Sequence, residues 1–246
     1  MSTAVLFDLD GTLLDTPNAI VRVLAEVVTG SGRPLPPEAE LRATVGRPLA
    51  ACFSALLRLP EDHPEVGQAT ERFREVFRTS VVPGARSMIF PGVPALLELL
   101  RERGHRIAIV TSKIRPSAEE LLLHAGLLDR FDAVVCHGMA PRGKPHPDLA
   151  LLAAGHLGTE PASCVVVGDA VDDMRMARAA GMAALGVTYG VATEEQLTAD
   201  GAHRVTGSVD GLSRILSGLA GPEELSVLRA TPVPRDRRPG ERLHVP

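Results

Sequence analysis

AVLFDLDGTLLDT, residues 4–16, is the stretch that decides the fold, because a short hydrophobic strand here runs directly into two carboxylates. Asp8 and Asp10 are two residues apart, so both face the same side of the strand while Leu9 points away. Two crowded carboxylates repel each other unless a cation or protons neutralise them. Mg²⁺ does so through hard oxygen ligands. The pair therefore indicates either a magnesium site or a cap on the following turn.

Four further aliphatic runs repeat the strand pattern. With Thr3–Asp8, the predicted strands are Arg106–Thr111, Ala133–Cys136, Cys164–Gly168 and Ala183–Val187. Amphipathic helical patterns separate them, at Gly92–Arg103, Pro116–Ala125, Pro147–Gly155 and Asp172–Ala180. Alternating strands and helices are typical of an α/β protein with a Rossmann-like parallel sheet.

The interval from 16 to 83 breaks this alternation, because it contains helical patterns (Ala19–Val28, Pro48–Leu57, Ala69–Arg78) and no convincing strand. We interpret it as an inserted α-helical cap domain over a core of residues 1–15 and 84–221. Turn-forming residues at both junctions favour hinges there. Residues 222–246 are rich in Pro and Arg, with little apolar periodicity, and are predicted to form a tail or strap.

Polar side chains also follow the other predicted strands. Thr111 and Ser112 end the second strand, where hydroxyls and free N–H groups can hold phosphoryl oxygens, although Thr-Ser alone is commoner as a helix cap. Lys144 precedes a helix start stiffened by prolines, and a lone loop lysine is usually only solvated. In the first turn, Gly11 permits a tight bend and Thr12 offers a hydroxyl, which makes both candidate substrate-binding residues.

A second group of carboxylates follows the fourth predicted strand. Asp169 ends this strand, and Asp172 and Asp173 lie in the first turn of the next helix. Acids there also favour the helix dipole, which is the structural alternative. Ligands of an open α/β sheet bind at the carboxyl ends of its strands, so we expect Asp169 and Asp173 to meet the first acidic pair.

Taken in order, FDLDGTLLDT, the strand ending in Thr111, GKPHPD and VVVGDAVDD resemble the four motifs of the haloacid dehalogenase superfamily. The resemblance spans about Val5 to Val187. The helical insert directly after the first motif further resembles the phosphoglycolate-phosphatase-like members, whose small helical cap closes over the active site. An α/β hydrolase with a capped site is the expectation that this resemblance implies.

The resemblance implies a role for each matching catalytic residue. Asp8 matches the nucleophile that forms an aspartyl-phosphate, and Asp10 matches the general acid and base. Thr111 and Lys144 match phosphate-binding positions, and Lys144 also offsets charge around the nucleophile.

The resemblance likewise implies a magnesium site. Mg²⁺ would be held by Asp8, the backbone carbonyl of Asp10, and Asp169, with Asp173 as a ligand or a support. Ala170 departs from the family pattern, which often has Thr there, so one hydrogen bond to these carboxylates is expected to be missing.

The cap loop Thr44–Pro48 resembles the loop that faces the active site in this subfamily. We hypothesise that Arg47, beside the flexible Gly46, contacts the far end of the substrate. The alternative is an exposed arginine that makes no ligand contact.

Composition restricts the partners. A net charge of −4 without a basic cluster argues against nucleic acid, and aromatics at 3% with no Trp leave few stacking platforms, so a small polar ligand is expected. Three widely spaced cysteines and the lack of a long apolar run favour a cytoplasmic protein without membrane contact. Whether it is a monomer or a homodimer stays open.

The leading functional hypothesis is a Mg²⁺-dependent phosphatase that hydrolyses a small phosphate monoester. Candidate substrates are phosphoglycolate, a sugar phosphate or a ribosyl 5-phosphate, the last suggested by similarity to phosphatases of natural-product pathways. The alternatives are a phosphomutase similar to β-phosphoglucomutase, a hydrolytic dehalogenase, and a noncatalytic binding or regulatory protein. Asp10 argues against the dehalogenase, and the complete set of motifs argues against the noncatalytic protein.

Overall fold

A parallel sheet of six strands forms the centre of the computed structural model, which describes residues 3–219 and 221–230. The strands are β1 (Ala4–Phe7), β2 (Arg106–Thr111), β3 (Ala133–Cys136), β4 (Cys164–Gly168), β5 (Ala183–Val187) and β6 (Arg204–Thr206). Their order across the sheet is β3-β2-β1-β4-β5-β6, and the predicted α/β class is confirmed. The sequence reading missed β6, because three residues are too few to show an alternating pattern.

Helices cover both faces of this sheet. They are α5 (Val93–Glu102), α6 (Arg115–Ala125), α7 (Asp148–Leu157), α8 (Val171–Ala179), α9 (Glu194–Ala199) and α10 (Val209–Ser217). Leucines of α5, α6 and α10 pack with Phe7 and Ile109 on one face, and residues of α7, α8 and α9 pack with Leu6 and Val110 on the other. Within the described ranges, every helix is too short or too polar to cross a membrane.

The order of the strands creates a switch point beside β1. The chain runs from β1 outward to β2 and β3, and then returns to β4 on the other side of β1. The backbone N–H of Asp8 donates to the carbonyl of Val167 at 2.9 Å, which joins the ends of β1 and β4. Ligands of doubly wound sheets bind where the strand order reverses, so the fold places Asp8 and Asp169 at that position.

Four α-helices and one 3₁₀-helix (Val82–Met88) fill the interval between β1 and α5. The α-helices are α1 (Pro17–Gly30), α2 (Glu38–Arg42), α3 (Leu49–Leu57) and α4 (Pro64–Ser80), and no strand interrupts residues 16–83. α1 and α3 both pack against α4. The ring of Phe73 meets Phe53 edge-on at 6.2 Å and stacks on Phe77 at 5.5 Å between centroids. We call residues 17–80 the helical segment.

The first nine residues of the predicted tail or strap form the helix α11 (Pro222–Ala230). Leu225 and Leu228 are buried, and α11 packs against β5. Burial of these two leucines on one side of the helix stabilises it despite its polar composition. Residues 231–246 of the predicted tail lie outside the described residues.

Candidate active site

Lys144 joins two carboxylates at the switch point. Its Nζ lies 2.7 Å from Oδ1 of Asp8 and 2.6 Å from Oδ1 of Asp173, and the three side chains are no more than 6% exposed. Lys144 comes from the loop between β3 and α7, so three distant parts of the chain meet here. A buried charge is costly unless it is paired, and each of these groups has a partner.

Asp169 is held rigidly beside this group. Its Oδ1 accepts a hydrogen bond from the Thr12 hydroxyl at 3.0 Å, and its Oδ2 accepts one from the Val191 N–H at 2.9 Å. A Cβ atom on Gly11 or on Gly190 would lie 2.1 Å from Oδ2 of Asp169, so both positions require glycine. The loops after β1 and β5 therefore fix the orientation of the Asp169 carboxylate.

Asp8, Asp169 and Asp173 form a cluster whose carboxylate oxygens lie within 4.8 Å of one another. Lys144 is the single buried ammonium paired with them in the described structure, so the ionised cluster carries excess negative charge. Burial raises the pKa of Asp8 to about 7, opposed by Lys144 and reinforced by Asp173. Burial also raises the pKa of Asp169, with Asp8 and Asp173 adding to it. Closely spaced hard oxygen donors with uncompensated charge fit Mg²⁺.

The ammonium of Lys144 stays charged in this environment. Burial alone would lower its pKa, but the carboxylates of Asp173 and Asp8 outweigh burial and raise it above its usual value. Asp173 also accepts a hydrogen bond through Oδ2 from the N–H of Ala170 at 3.1 Å. The methyl group of Ala170 provides no side-chain hydrogen bond, as its departure from the family pattern implies.

Asp10 has a separate environment from the cluster. Its Oδ1 accepts a hydrogen bond from the buried Thr16 hydroxyl at 2.6 Å, and its Oδ2 lies 3.0 Å from Nζ of Lys113. The same ammonium lies 4.5 Å from the centre of the Phe77 ring on α4. Lys113 therefore contacts both the edge of the sheet and the helical segment, through an ion pair and a cation–π contact.

One cavity opens beside these groups. Asp8, Asp10, Thr111, Ser112 and Arg47 all line it, so it brings together five of the residues predicted from the sequence. In contrast, the lining does not include the other predicted site residues, Gly11, Thr12, Lys144, Asp169 and Asp173. Instead, Lys144, Asp169 and Asp173 lie beside Asp8, and Gly11 and Thr12 lie beside Asp169.

The polar lining of this cavity includes atoms without partners. The hydroxyl of Ser112, Nδ1 of His137 and Nε of Arg74 are buried with no hydrogen-bond partner in the described structure. The hydroxyl of Thr111 accepts a hydrogen bond from the N–H of Lys113 at 3.2 Å. Buried polar atoms are almost always satisfied, so these unpaired atoms are available to hydrogen-bond a ligand in this cavity.

The loop that carries Arg47 reaches the edge of the sheet. A Cβ atom on Gly46 would lie 3.5 Å from Cβ of Ala170, the residue that follows Asp169. Gly46 has φ +92°, a conformation that other residues rarely adopt. Arg47 is exposed and lines the cavity, and its contact with a substrate stays a prediction.

Three residues of the site were missed by the sequence reading: Thr16, Lys113 and His137. Lys113 and His137 follow the ends of β2 and β3 by two residues and one residue, and position at a strand end was the available signal. Thr16 lies six residues beyond Asp10, and its contact depends on the path of the turn between them.

Comparison with known proteins agrees with this geometry. Residues 5–187 match the family described as haloacid dehalogenase-like hydrolase. "Probable phosphatase IndB" of Dickeya dadantii is 43% identical over 81% of this chain and 86% of its own length. A phosphoglycolate phosphatase of Nitrosococcus oceani is 31% identical over 76% of this chain and 84% of its own. The crystal structure of a hydrolase from Pseudomonas syringae has a TM-score of 0.78 and 26% identity, covering 89% of this chain and 99% of that one.

The chain belongs to the haloacid dehalogenase-like hydrolases, as its motifs predicted. Its relatives place it among the phosphoglycolate-phosphatase-like members. Within this family it is a phosphatase, an enzyme that hydrolyses phosphate monoesters.

Proposed function

We propose that this enzyme hydrolyses a small phosphate monoester with the help of Mg²⁺, and that Asp8 is its nucleophile. The observation that carries the proposal is the pairing of Asp8 with Lys144 inside a cluster of three buried carboxylates. Lys144 engages Oδ1 of Asp8, while Oδ2 has no hydrogen-bond partner among the described residues. Oδ2 is therefore the oxygen available to attack phosphorus.

The first half of the reaction transfers the phosphoryl group to the enzyme. Oδ2 of Asp8 forms a bond to phosphorus while the bond from phosphorus to the leaving oxygen breaks. Asp10, in its protonated form, donates a proton to that oxygen, and the alcohol leaves. Thr16 and Lys113 hold the Asp10 carboxyl group in place for this transfer.

The second half releases phosphate. Asp10 takes a proton from a water molecule, whose oxygen attacks the phosphorus of the aspartyl-phosphate. The bond between phosphorus and Asp8 breaks, inorganic phosphate leaves, and both carboxyl groups return to their starting states. One side chain therefore serves as acid and then as base.

Asp8, Asp169, Asp173 and the backbone carbonyl of Asp10 are the groups that would hold Mg²⁺. When bound, the ion supplies positive charge that offsets the repulsion between an anionic nucleophile and an anionic phosphate. Lys144 supplies further positive charge next to Asp8, and Thr111 and Ser112 offer donors for the phosphoryl oxygens. The expected cost of losing one such group is about 10²–10³-fold in kcat.

Residues 16–83 act as the cap in this proposal. The contact between Lys113 and Phe77 connects the cap to the residue that holds Asp10. A cap that closes over the substrate excludes bulk water and completes the site. Its loop at Gly46 and Arg47 reaches the cavity, which supports a role for Arg47 at the far end of the substrate.

A phosphate-release assay with and without Mg²⁺ tests the proposal, on a panel that includes 2-phosphoglycolate, ribose 5-phosphate and p-nitrophenyl phosphate. Asp8→Asn is expected to lower kcat by about 10⁴-fold, because an amide is a poor nucleophile. Asp15→Asn is the matched control, since Asp15 belongs to the same first motif but is exposed and outside the cavity.

Three results would contradict the proposal: full activity in Asp8→Asn, equal losses in both variants, or unchanged turnover after chelation of Mg²⁺. A hexose phosphate in the panel also separates hydrolysis from phosphoryl return to a sugar. Inorganic phosphate as the product supports a phosphatase, and an isomeric sugar phosphate identifies a mutase.

A further inference from the structure

One wall of the cavity belongs to the core rather than to the helical segment. Ser117 and Glu120 lie one turn apart on α6, and both line the cavity that also contains Asp8 and Asp10. Residues at this spacing share one face of a helix. The substrate therefore meets a polar strip of α6 in addition to the cap loop.

The carboxylate of Glu120 has no hydrogen-bond or ion-pair partner among the described residues. Arg47, Arg74 and Arg78 line the same cavity, but Arg74 pairs with Glu71 and none of the three pairs with Glu120. The neighbouring Glu119 instead pairs with Arg115 at 2.7 Å on the outer side of α6. The two glutamates of α6 thus differ in environment, and Glu120 is the one directed to the cavity.

An unpaired carboxylate in an anion-binding cavity has a chemical consequence. It accepts hydrogen bonds, and hydrogen bonds to charged groups are stronger than those between neutral groups. It also repels a second negative charge on the part of the substrate that lies beside it. A leaving group with several hydroxyl or N–H donors satisfies Glu120, whereas a small carboxylate does not.

We propose that Glu120, supported by Ser117, is a specificity-determining residue that accepts hydrogen bonds from the leaving alcohol. It selects phosphate monoesters of polyhydroxylated, sugar-like alcohols over those of small carboxylic acids such as 2-phosphoglycolate. This inference rests on the proposed phosphatase function and assigns its substrate class. Glu120 touches the leaving group and takes no part in the transfer of the phosphoryl group.

The test compares kcat/KM for ribose 5-phosphate and 2-phosphoglycolate in the wild-type chain and in Glu120→Gln. Glutamine keeps the size of the side chain and removes its charge. The ratio of the two kcat/KM values is expected to fall at least about tenfold in favour of 2-phosphoglycolate. Most of the change for ribose 5-phosphate should lie in KM, because Glu120 takes no part in the transfer of the phosphoryl group.

Glu119→Gln is the matched control, because it removes the same charge from the adjacent position outside the cavity. Its substrate ratio should equal that of the wild type. Ser117→Ala is a second variant on the same wall, and a smaller shift in the same direction is expected. An unchanged ratio in both Glu120→Gln and Ser117→Ala, or an equal shift in Glu119→Gln, overturns the inference.

The same experiment separates this inference from the proposed function. If the wild type hydrolyses p-nitrophenyl phosphate and Asp8→Asn does not, the phosphatase proposal stands whatever the ratio does. If neither protein releases phosphate from any of the three esters, the proposed function fails, and the substrate assignment fails with it.

Discussion

The carboxyl edge of the sheet and the cavity wall above it differ in how their charged groups are paired. At the edge, Lys144 contacts Asp8 at 2.7 Å, and burial leaves little room for either side chain to move. We call the cavity-lining residues Arg47, Arg78 and Glu120 the wall; their side chains form no ion pair or hydrogen bond with any described residue, whereas the lining Arg74 pairs with Glu71. The charged side chains of the edge are therefore held in place before a ligand binds. Those of the wall remain available to pair with a ligand. In our proposal, the edge therefore carries out the chemistry and the wall determines substrate specificity.

Lys144→Met should have the largest effect, because it removes both buried ion pairs at the edge. Two buried carboxylates lose their shared partner, so the free energy of unfolding is expected to fall by about 3–5 kcal/mol and kcat by about 10³-fold. Thermal unfolding in EDTA and phosphate release in Mg²⁺ measure the two effects.

Arg142→Met is the control from the same loop. Arg142 pairs with Asp148 at 2.9 Å on the surface, so this variant should lose less than about 1 kcal/mol. A similar loss in both variants would show that the buried pairing at the edge has no special role.

Gly190→Ala should damage the proposed metal site. The new Cβ atom would lie 2.1 Å from Oδ2 and 2.4 Å from Cβ of Asp169, so the carboxylate and the neighbouring backbone must both shift. Affinity for Mg²⁺ is expected to fall about 10–100-fold, as for other residues that orient metal ligands. The increase in melting temperature on adding Mg²⁺ measures this affinity. Gly155→Ala on α7 meets open space and should keep the full increase, so equal responses in the two variants would count against Asp169 as a ligand.

Lys113→Met tests the connection between the edge and the helical segment. Asp10 keeps its hydrogen bond from Thr16 but loses its cation, so we expect kcat to fall about tenfold with little change in KM. Lys113→Arg should recover part of the loss, since it restores the positive charge. A change in KM alone would place Lys113 with the wall instead.

Arg47→Ala should have the smallest effect, because its guanidinium forms no ion pair or hydrogen bond with any described residue. Stability is expected to stay within about 0.5 kcal/mol, while KM rises about fivefold for substrates that reach the cap loop. Arg22→Ala removes an exposed arginine of α1 that does not line the cavity. If the two variants give the same KM values across the ester panel, Arg47 has no role in specificity.

The edge was also the more predictable region. A strand end is visible in the sequence, so the five predicted strands brought Asp8, Thr111 and Asp169 to one edge without any coordinates. The fold class follows from the same alternation of strands and helices. The short edge strand β6 and helix α11 were not predicted, because their stability depends on packing against neighbouring elements that a local sequence pattern does not show.

The wall could not be predicted in the same way. Which face of α6 lines the cavity depends on the packing of the whole fold. The sequence pattern of α6 alone does not distinguish Glu119 from Glu120. Lys113 illustrates the same limit at the edge, since its contact with Phe77 depends on the position of α4. Long-range packing decides these contacts, and packing is a property of the whole fold.

Trapping the covalent intermediate tests the central claim most directly. The protein is mixed with p-nitrophenyl phosphate and Mg²⁺, quenched in acid within the first turnover, and digested for mass spectrometry. We predict one phosphoryl group on the peptide that contains Asp8, absent from Asp8→Asn and from a sample mixed with substrate in EDTA instead of Mg²⁺. A phosphoryl group on any other residue, or undiminished turnover by Asp8→Asn, would contradict the assignment of Asp8 as the nucleophile.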